Sequence, residues 1–242
     1  MRLENVARNY DRLAPWYDVG NELMFHRLLG LRRYREMTIE RLGNITGKTV
    51  LDVGCGTGNN WPILVPRVGP SGRVIGVDYS DGMLEKARQR VDAAGWTNVE
   101  RLRDDAATLT GVQDQVDAAL SVWCLGIVHD LPAALTRLVE TTRPGGRIAI
   151  LDFAQSRPDR GLLRLLYPLY ERALVATGID APEDIDDAAL RTRWRDGIAM
   201  LGRRLPDLVE ERYLDGAGLL LHGTRPLDPE FDRAGVAVGP RP

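Results

Sequence analysis

The chain has 242 residues, 44% of them apolar, and a formal net charge of −2. That length supports one sizeable α/β domain, and the missing basic excess argues against a nucleic-acid partner. Two cysteines, Cys55 and Cys124, with no CxxC or His/Cys cluster, exclude a disulfide scaffold and give no reason to expect a metal.

Residues 1–45 predict an N-terminal helical cap of two helices, broken near Val19, Gly20 and Asn21. The opening residues lack the basic-then-apolar order of a signal peptide, so the expected location is cytoplasmic. From 46 to 224 the pattern is that of a Rossmann-like α/β domain. Short β-branched runs at Thr49–Val53, Arg73–Asp78, Val99–Arg103, Val116–Val122 and Arg147–Phe153 predict strands. The last follows the turn Arg143-Pro144-Gly145-Gly146. Amphipathic stretches at Gly82–Ala94 and Pro132–Thr142 predict helices between them. Such alternation implies a mostly parallel sheet covered on both faces. Residues 158–205 read as a helical insertion or lid. Within it, Leu162–Ala176 is too short and too charged to span a bilayer. The basic and apolar mixture at Arg157–Tyr167 suits either an ordinary lid helix or peripheral contact with an anionic membrane. Strands at Leu208–Leu214 and Gly218–His222, separated by three residues, form a hairpin that completes seven strands with an antiparallel last one. Residues 225–242, with Pro226, Pro229, Pro240 and Pro242, read as a disordered tail.

The first strand runs into Asp52-Val53-Gly54-Cys55-Gly56-Thr57-Gly58. Glycines permit a sharp bend and a close ligand approach, and their amides can bind a polar ligand group at the next helix's start. A dinucleotide fingerprint requires a third glycine at position 59, which is Asn59, so the spacing argues against NAD. Asp78 ends the second strand, where a carboxylate can accept both hydroxyls of an adenosine ribose. Tyr79 follows it, Met83 can lie against an adenine face, and Asp105 with Ala106 can meet the exocyclic amine. Ser121 and Trp123 sit at the fourth strand's end, where Trp123 suits either an aromatic wall or packing between strand and helix.

In this order and spacing the residues resemble the class I S-adenosylmethionine-dependent methyltransferases. Asp52, Gly54, Gly56 and Gly58 match their first motif, Asp78 their ribose acid, and Asp105-Ala106 their adenine pair. Tyr10-Asp11-Arg12-Leu13-Ala14-Pro15-Trp16-Tyr17-Asp18 is similar to the opening of the ubiquinone/menaquinone C-methyltransferases and of bacterial phospholipid N-methyltransferases. The resemblance implies S-adenosylmethionine as cofactor, S-adenosylhomocysteine as product, and Tyr10 and Tyr17 over the methionine end. The quinone enzymes carry a Phe-Gly-Leu-Arg-Asn-like run after the fourth strand; here Gly126 and Ile127 fill the Arg and Asn positions.

A sulfonium methyl is already electrophilic, so catalysis rests on aligning a nucleophile and excluding water. A base is needed only for a nucleophile that carries a proton at neutral pH; His129 is the candidate near the site, with a capping histidine as the alternative. The expected activity is O-, N- or C-methylation of a small-molecule acceptor. Phospholipid N-methylation, quinone C-methylation and cofactor binding without transfer remain the alternatives. Oligomeric state is not legible.

Overall fold

β-Branched runs bounded by glycine and aspartate become strands, and the amphipathic stretches between them become helices. The computed structural model describes residues 31–155 and 187–227, together with Gly161, Arg164 and Leu165. In chain order these hold α1 (Leu31–Glu40), β1 (Thr49–Val53), α2 (Trp61–Val68), β2 (Arg73–Asp78), α3 (Asp81–Ala94), β3 (Val99–Arg103), β4 (Val116–Val122), α4 (Leu131–Thr141), β5 (Thr142–Phe153), α5 (Asp187–Arg204), β6 (Val209–Tyr213) and β7 (Gly218–Thr224).

One sheet runs in the order β3-β2-β1-β4-β5-β7-β6. β1 to β5 are parallel, and β7 runs antiparallel to both β5 and β6. The chain builds outward from β1 to β3 on one side, then returns to lay β4 and β5 on the other. That reversal leaves a crevice over the carboxyl ends of β1 and β4.

Alternate residues of each strand face opposite layers. Leu51, Val53, Ala119, Ile148 and Ile150 pack with Leu135, Leu138, Trp194 and Leu201 of α4 and α5. Val50, Leu120, Ala149 and Leu151 face the other way, against Ile39, Trp61, Leu64 and Ala87 of α1, α2 and α3. The short helices hold their ends with local devices. Ser80 caps α3 by accepting the Met83 N–H at 3.1 Å, and Gly95 ends it with φ +66. Asp130 caps α4 by accepting the Ala133 N–H at 2.9 Å.

Four points refine the sequence reading. β5 starts at Thr142, five residues before the expected start at Arg147. Val116 pairs with Thr142 and Ala118 with Arg147, so Arg143–Gly146 is extruded as a bulge. Arg225, expected in the tail, closes that bulge: Gly145 N–H reaches its carbonyl at 2.8 Å, and its own N–H reaches Gly146 O at 2.9 Å. The expected domain break at residue 45 does not isolate α1, because Tyr34, Ile39, Leu42 and Ile45 belong to the sheet's own core. The end of the 158–205 segment is likewise a core helix, with Trp194, Gly197 and Leu201 buried on α4. Residues 1–30, the rest of the lid segment and 228–242 lie outside the described residues. Among the described residues no helix is long and apolar enough to cross a membrane.

Candidate functional site

The glycine loop is shaped by what each glycine must avoid. Gly54, Gly56 and Gly58 have φ of +70, +56 and +79, a region that disfavours side chains. A Cβ on Gly54 would lie 2.1 Å from the Cys124 sulfur. A Cβ on Gly58 would lie 2.5 Å from the Trp61 ring, and one on Gly76 2.4 Å from the same ring's other edge. Gly58 therefore makes room for a buried tryptophan. Gly56 has no atom within 4 Å of its Cβ position. The loop is tied on both sides. Gly56 N–H donates to Asp78 Oδ2 at 2.8 Å, and Ser80 N–H donates to Oδ1 at 3.0 Å. From α3, Arg90 donates to Thr57 O at 2.8 Å and to Asn59 Oδ1 at 2.9 Å.

Above this loop lies an open crevice of mixed polar and apolar lining, the form small-molecule sites take. Of the residues singled out in the sequence, Gly54, Cys55, Gly56, Asp78, Tyr79, Met83, Asp105, Ala106 and Trp123 line it. Four others do not. Asp52 is fully buried, and its carboxylate accepts Asn60 Nδ2 at 2.8 Å and Trp61 Nε1 at 3.1 Å. It braces the first turn of α2 against β1. Asn60 sits at the helix start, yet its side chain makes no cap and serves this buried pair instead. Gly58 packs on Trp61. Ser121 is buried and donates to Val53 O at 2.8 Å, tying β4 to β1. His129 has a side chain 40% exposed, 3.9 Å from Asp105, one residue before the cap of α4. Tyr10 and Tyr17 lie outside the described residues.

Sequence reasoning missed Arg35. It lies on α1, is nearly buried, and lines the crevice. Its Nη1 donates to Asn60 Oδ1 at 2.7 Å, and its guanidinium stands 4.5 Å from the Trp123 ring centroid. Among the described residues it is the one cationic side chain in the lining. Trp123 is itself unusual, with φ +55, an outlier for a bulky residue. Its N–H donates to Leu151 O at 2.7 Å, and its ring stacks on Phe153 at 6.2 Å. The strain turns the indole from the strand end into the crevice. The following loop is clamped on both sides. Asp152 accepts the Gly126 N–H at 2.9 Å, while Arg193 of α5 donates to Gly126 O at 3.1 Å and also to Val128 O. Burial pushes the Cys55 and Cys124 thiols well up, so both stay protonated at neutral pH.

Burial also raises Asp52 and Asp152 to about 6, against partly compensating hydrogen bonds. A carboxyl raised in the folded state stabilises fully below its unfolded value, and that contribution is lost as pH rises through the folded value. Stability is therefore expected to fall from about pH 4 to above pH 6, each group adding a slope of up to about 1.4 kcal/mol per pH unit. Urea midpoints across that range test this, and Asp152→Asn should flatten the profile by about half.

The chain's residues 1–179 match the model of the ubiE/COQ5 methyltransferase family. The chain belongs to the ubiE/COQ5 methyltransferase family. It is 35% identical over 170 residues to the 2-phytyl-1,4-naphtoquinone methyltransferase of Thermosynechococcus vestitus, covering 69% of this chain and 72% of that protein. It is 33% identical over 174 residues to the demethylmenaquinone methyltransferase of Geobacillus kaustophilus, covering 71% and 72%. Its fold matches the N-methyltransferase NodS of Bradyrhizobium japonicum in complex with S-adenosyl-L-homocysteine, with TM-score 0.55, 17% identity, and coverage of 81% and 87%.

This ubiE/COQ5 member is an S-adenosylmethionine-dependent methyltransferase. The crevice fits that cofactor on its own chemistry: an open glycine at position 56, a carboxylate at the end of β2, a buried methionine and one lining cation. When bound, S-adenosylmethionine supplies an electrophilic methyl on a cationic sulfur. The protein's contribution is placement. For such placement the lining offers the carboxylates of Asp78 and Asp105, the guanidinium of Arg35, the indole of Trp123 and the apolar side chains of Val122 and Val128.

Proposed function

We propose that this enzyme methylates a ring carbon of a lipid-like, quinone-type acceptor in its reduced form. The cofactor's ribose hydroxyls go to Asp78, its adenine to Met83 and Asp105, and its amino-acid carboxylate to Arg35. Trp123, Ile127 and Val128 then border the acceptor's end of the crevice. The observation that carries this reading is the apolar character of that end, where Ile127 is a large hydrophobic side chain left 45% exposed at the mouth. The names of the relatives support it, since both act on naphthoquinone or menaquinone precursors by their names. An electron-rich ring carbon beside a hydroxyl would attack the methyl, form the new carbon–carbon bond as the carbon–sulfur bond breaks, and release its own proton. We place the reaction in the cytoplasm, at a bilayer surface that stores such an acceptor. Segment 157–167, the candidate for membrane contact, lies almost wholly outside the described residues.

One observation favours a second reading. Gly126 and Ile127 offer no polar side chain where the quinone enzymes carry Arg and Asn, which favours a lipid-like acceptor without ring oxygens to recognise. The test incubates the protein with methyl-labelled cofactor and, separately, a demethylated naphthoquinol bearing a short isoprenoid tail, phosphatidylethanolamine vesicles, and a water-soluble catechol. Label on the naphthoquinol ring carbon is the expected result. Label confined to the vesicles or to the catechol would sink the quinone reading.

A further inference from the structure

Arg35 reaches the crevice on α1, and the antiparallel edge of the sheet holds α1 in place. Immediately after the helix, Arg41 forms a two-point pair with Glu211 of β6, Nε to Oε1 at 2.9 Å and Nη2 to Oε2 at 3.0 Å. Fork-to-carboxylate pairing fixes orientation as well as distance. The same carboxylate accepts the Tyr213 hydroxyl at 2.6 Å and faces His222 Nε2 at 3.2 Å. Arg147 of β5 donates from Nε and Nη2 to the Arg41 carbonyl at 3.1 and 2.9 Å. Tyr213 is then held at both ends. Its hydroxyl rests on Glu211, and its ring meets Tyr34 edge-on with centroids 5.2 Å apart. Tyr34 is the residue before Arg35. None of Glu211, Arg41, Tyr213 or Arg147 lines the crevice.

We infer that Glu211 is a positioning residue for the amino-acid end of the cofactor: through Arg41 and Tyr213 it sets α1 so that Arg35 is presented to the crevice. This rests on the reading that Arg35 takes the cofactor's carboxylate. In the same reading the nucleoside end goes to Asp78 and Asp105 after β2 and β3, at the opposite edge of the sheet from β6. Its loss therefore affects one part of the ligand and spares the other, which a general packing role would not do.

Binding constants for S-adenosylhomocysteine and 5′-methylthioadenosine separate the two ends. The second ligand keeps the nucleoside and lacks the amino-acid carboxylate. Arg35→Ala in the full chain is expected to weaken S-adenosylhomocysteine about tenfold and to leave methylthioadenosine within about twofold. Glu211→Gln and Arg41→Met, which keep shape and lose the charge pair, are expected to weaken S-adenosylhomocysteine about three- to fivefold with the same selectivity. The double variant should be no worse than either single one. Equal weakening of both ligands in Glu211→Gln, with a lowered thermal midpoint, overturns the inference by showing a packing role alone. If Arg35→Ala loses tail selectivity and Glu211→Gln keeps wild-type binding, the inference falls and the reading of Arg35 stands. Wild-type binding in Arg35→Ala overturns both.

Discussion

Asp78→Ala is expected to weaken S-adenosylhomocysteine binding about a hundredfold. Two effects combine. On the proposed placement of the ribose, a charged acceptor for its two hydroxyls is lost, and hydrogen bonds to a charged group are worth about 1.5–3 kcal/mol each. The loop also loses its anchor, because the Gly56 and Ser80 N–H groups both point at that carboxylate. The hundredfold figure corresponds to about 2.7 kcal/mol, less than the full sum because solvent replaces part of what is removed. Asp78→Asn keeps the shape and one acceptor oxygen, and should lose about tenfold. Titration calorimetry with the demethylated product measures both. An Asp78→Ala variant that binds within threefold of wild type would show that the ribose is held elsewhere.

Among the described glycines, Gly54→Ala should be the most damaging single methyl. The added carbon would lie 2.1 Å from the Cys124 sulfur and 2.3 Å from its Cβ. The backbone there has φ +70, which costs a side-chain-bearing residue about 1–2 kcal/mol even without a clash. Relief requires β1 and β4 to part at the crevice floor. A stability loss of about 3 kcal/mol is expected, with product binding abolished. Gly56→Ala is the control. It carries the same backbone penalty, at φ +56, but its Cβ meets nothing within 4 Å, so about 1 kcal/mol is expected. Cys124→Gly combined with Gly54→Ala should recover the clash and leave the backbone share. Urea midpoints of the three variants decide this, and equal losses at Gly54 and Gly56 would refute the packing argument.

The contrast between these glycines also shows what a sequence can and cannot reveal. The spacing of glycines after Asp52 marked the loop, but it gave all three the same purpose. Two of them answer to neighbours, Cys124 and Trp61, that only the folded chain brings close. Asp52 illustrates the same point. An acid before a glycine loop reads as a ligand contact, yet its partners stand eight and nine residues on, at Asn60 and Trp61. A signal was present, since a donor amide and an indole at the start of α2 are suited to satisfy a buried carboxylate. β1 and β2 were legible because their β-branched runs end sharply at Gly54 and Asp78. The true start of β5 was not, because a bulge is a property of pairing and Arg143–Gly146 carries turn chemistry. Arg35 was hidden among Arg32 and Arg33 on the same helix. Their local sequence is nearly equivalent, and only packing against Asn60 and Trp123 distinguishes one of them.

The junctions on either side of residues 156–186 have a consequence for redesign. β5 ends at Phe153, stacked on Trp123. α5 returns with Arg193 hydrogen-bonded to the backbone of the loop at Gly126 and Val128, and with Gly197 tight against Leu135. Both anchors therefore grip the stretch from Trp123 to Val128, part of which lines the crevice. A foreign segment spliced between Gln155 and Asp187 that keeps these two anchors is therefore expected to leave the sheet and the loop after β4 in place, with the urea midpoint unchanged.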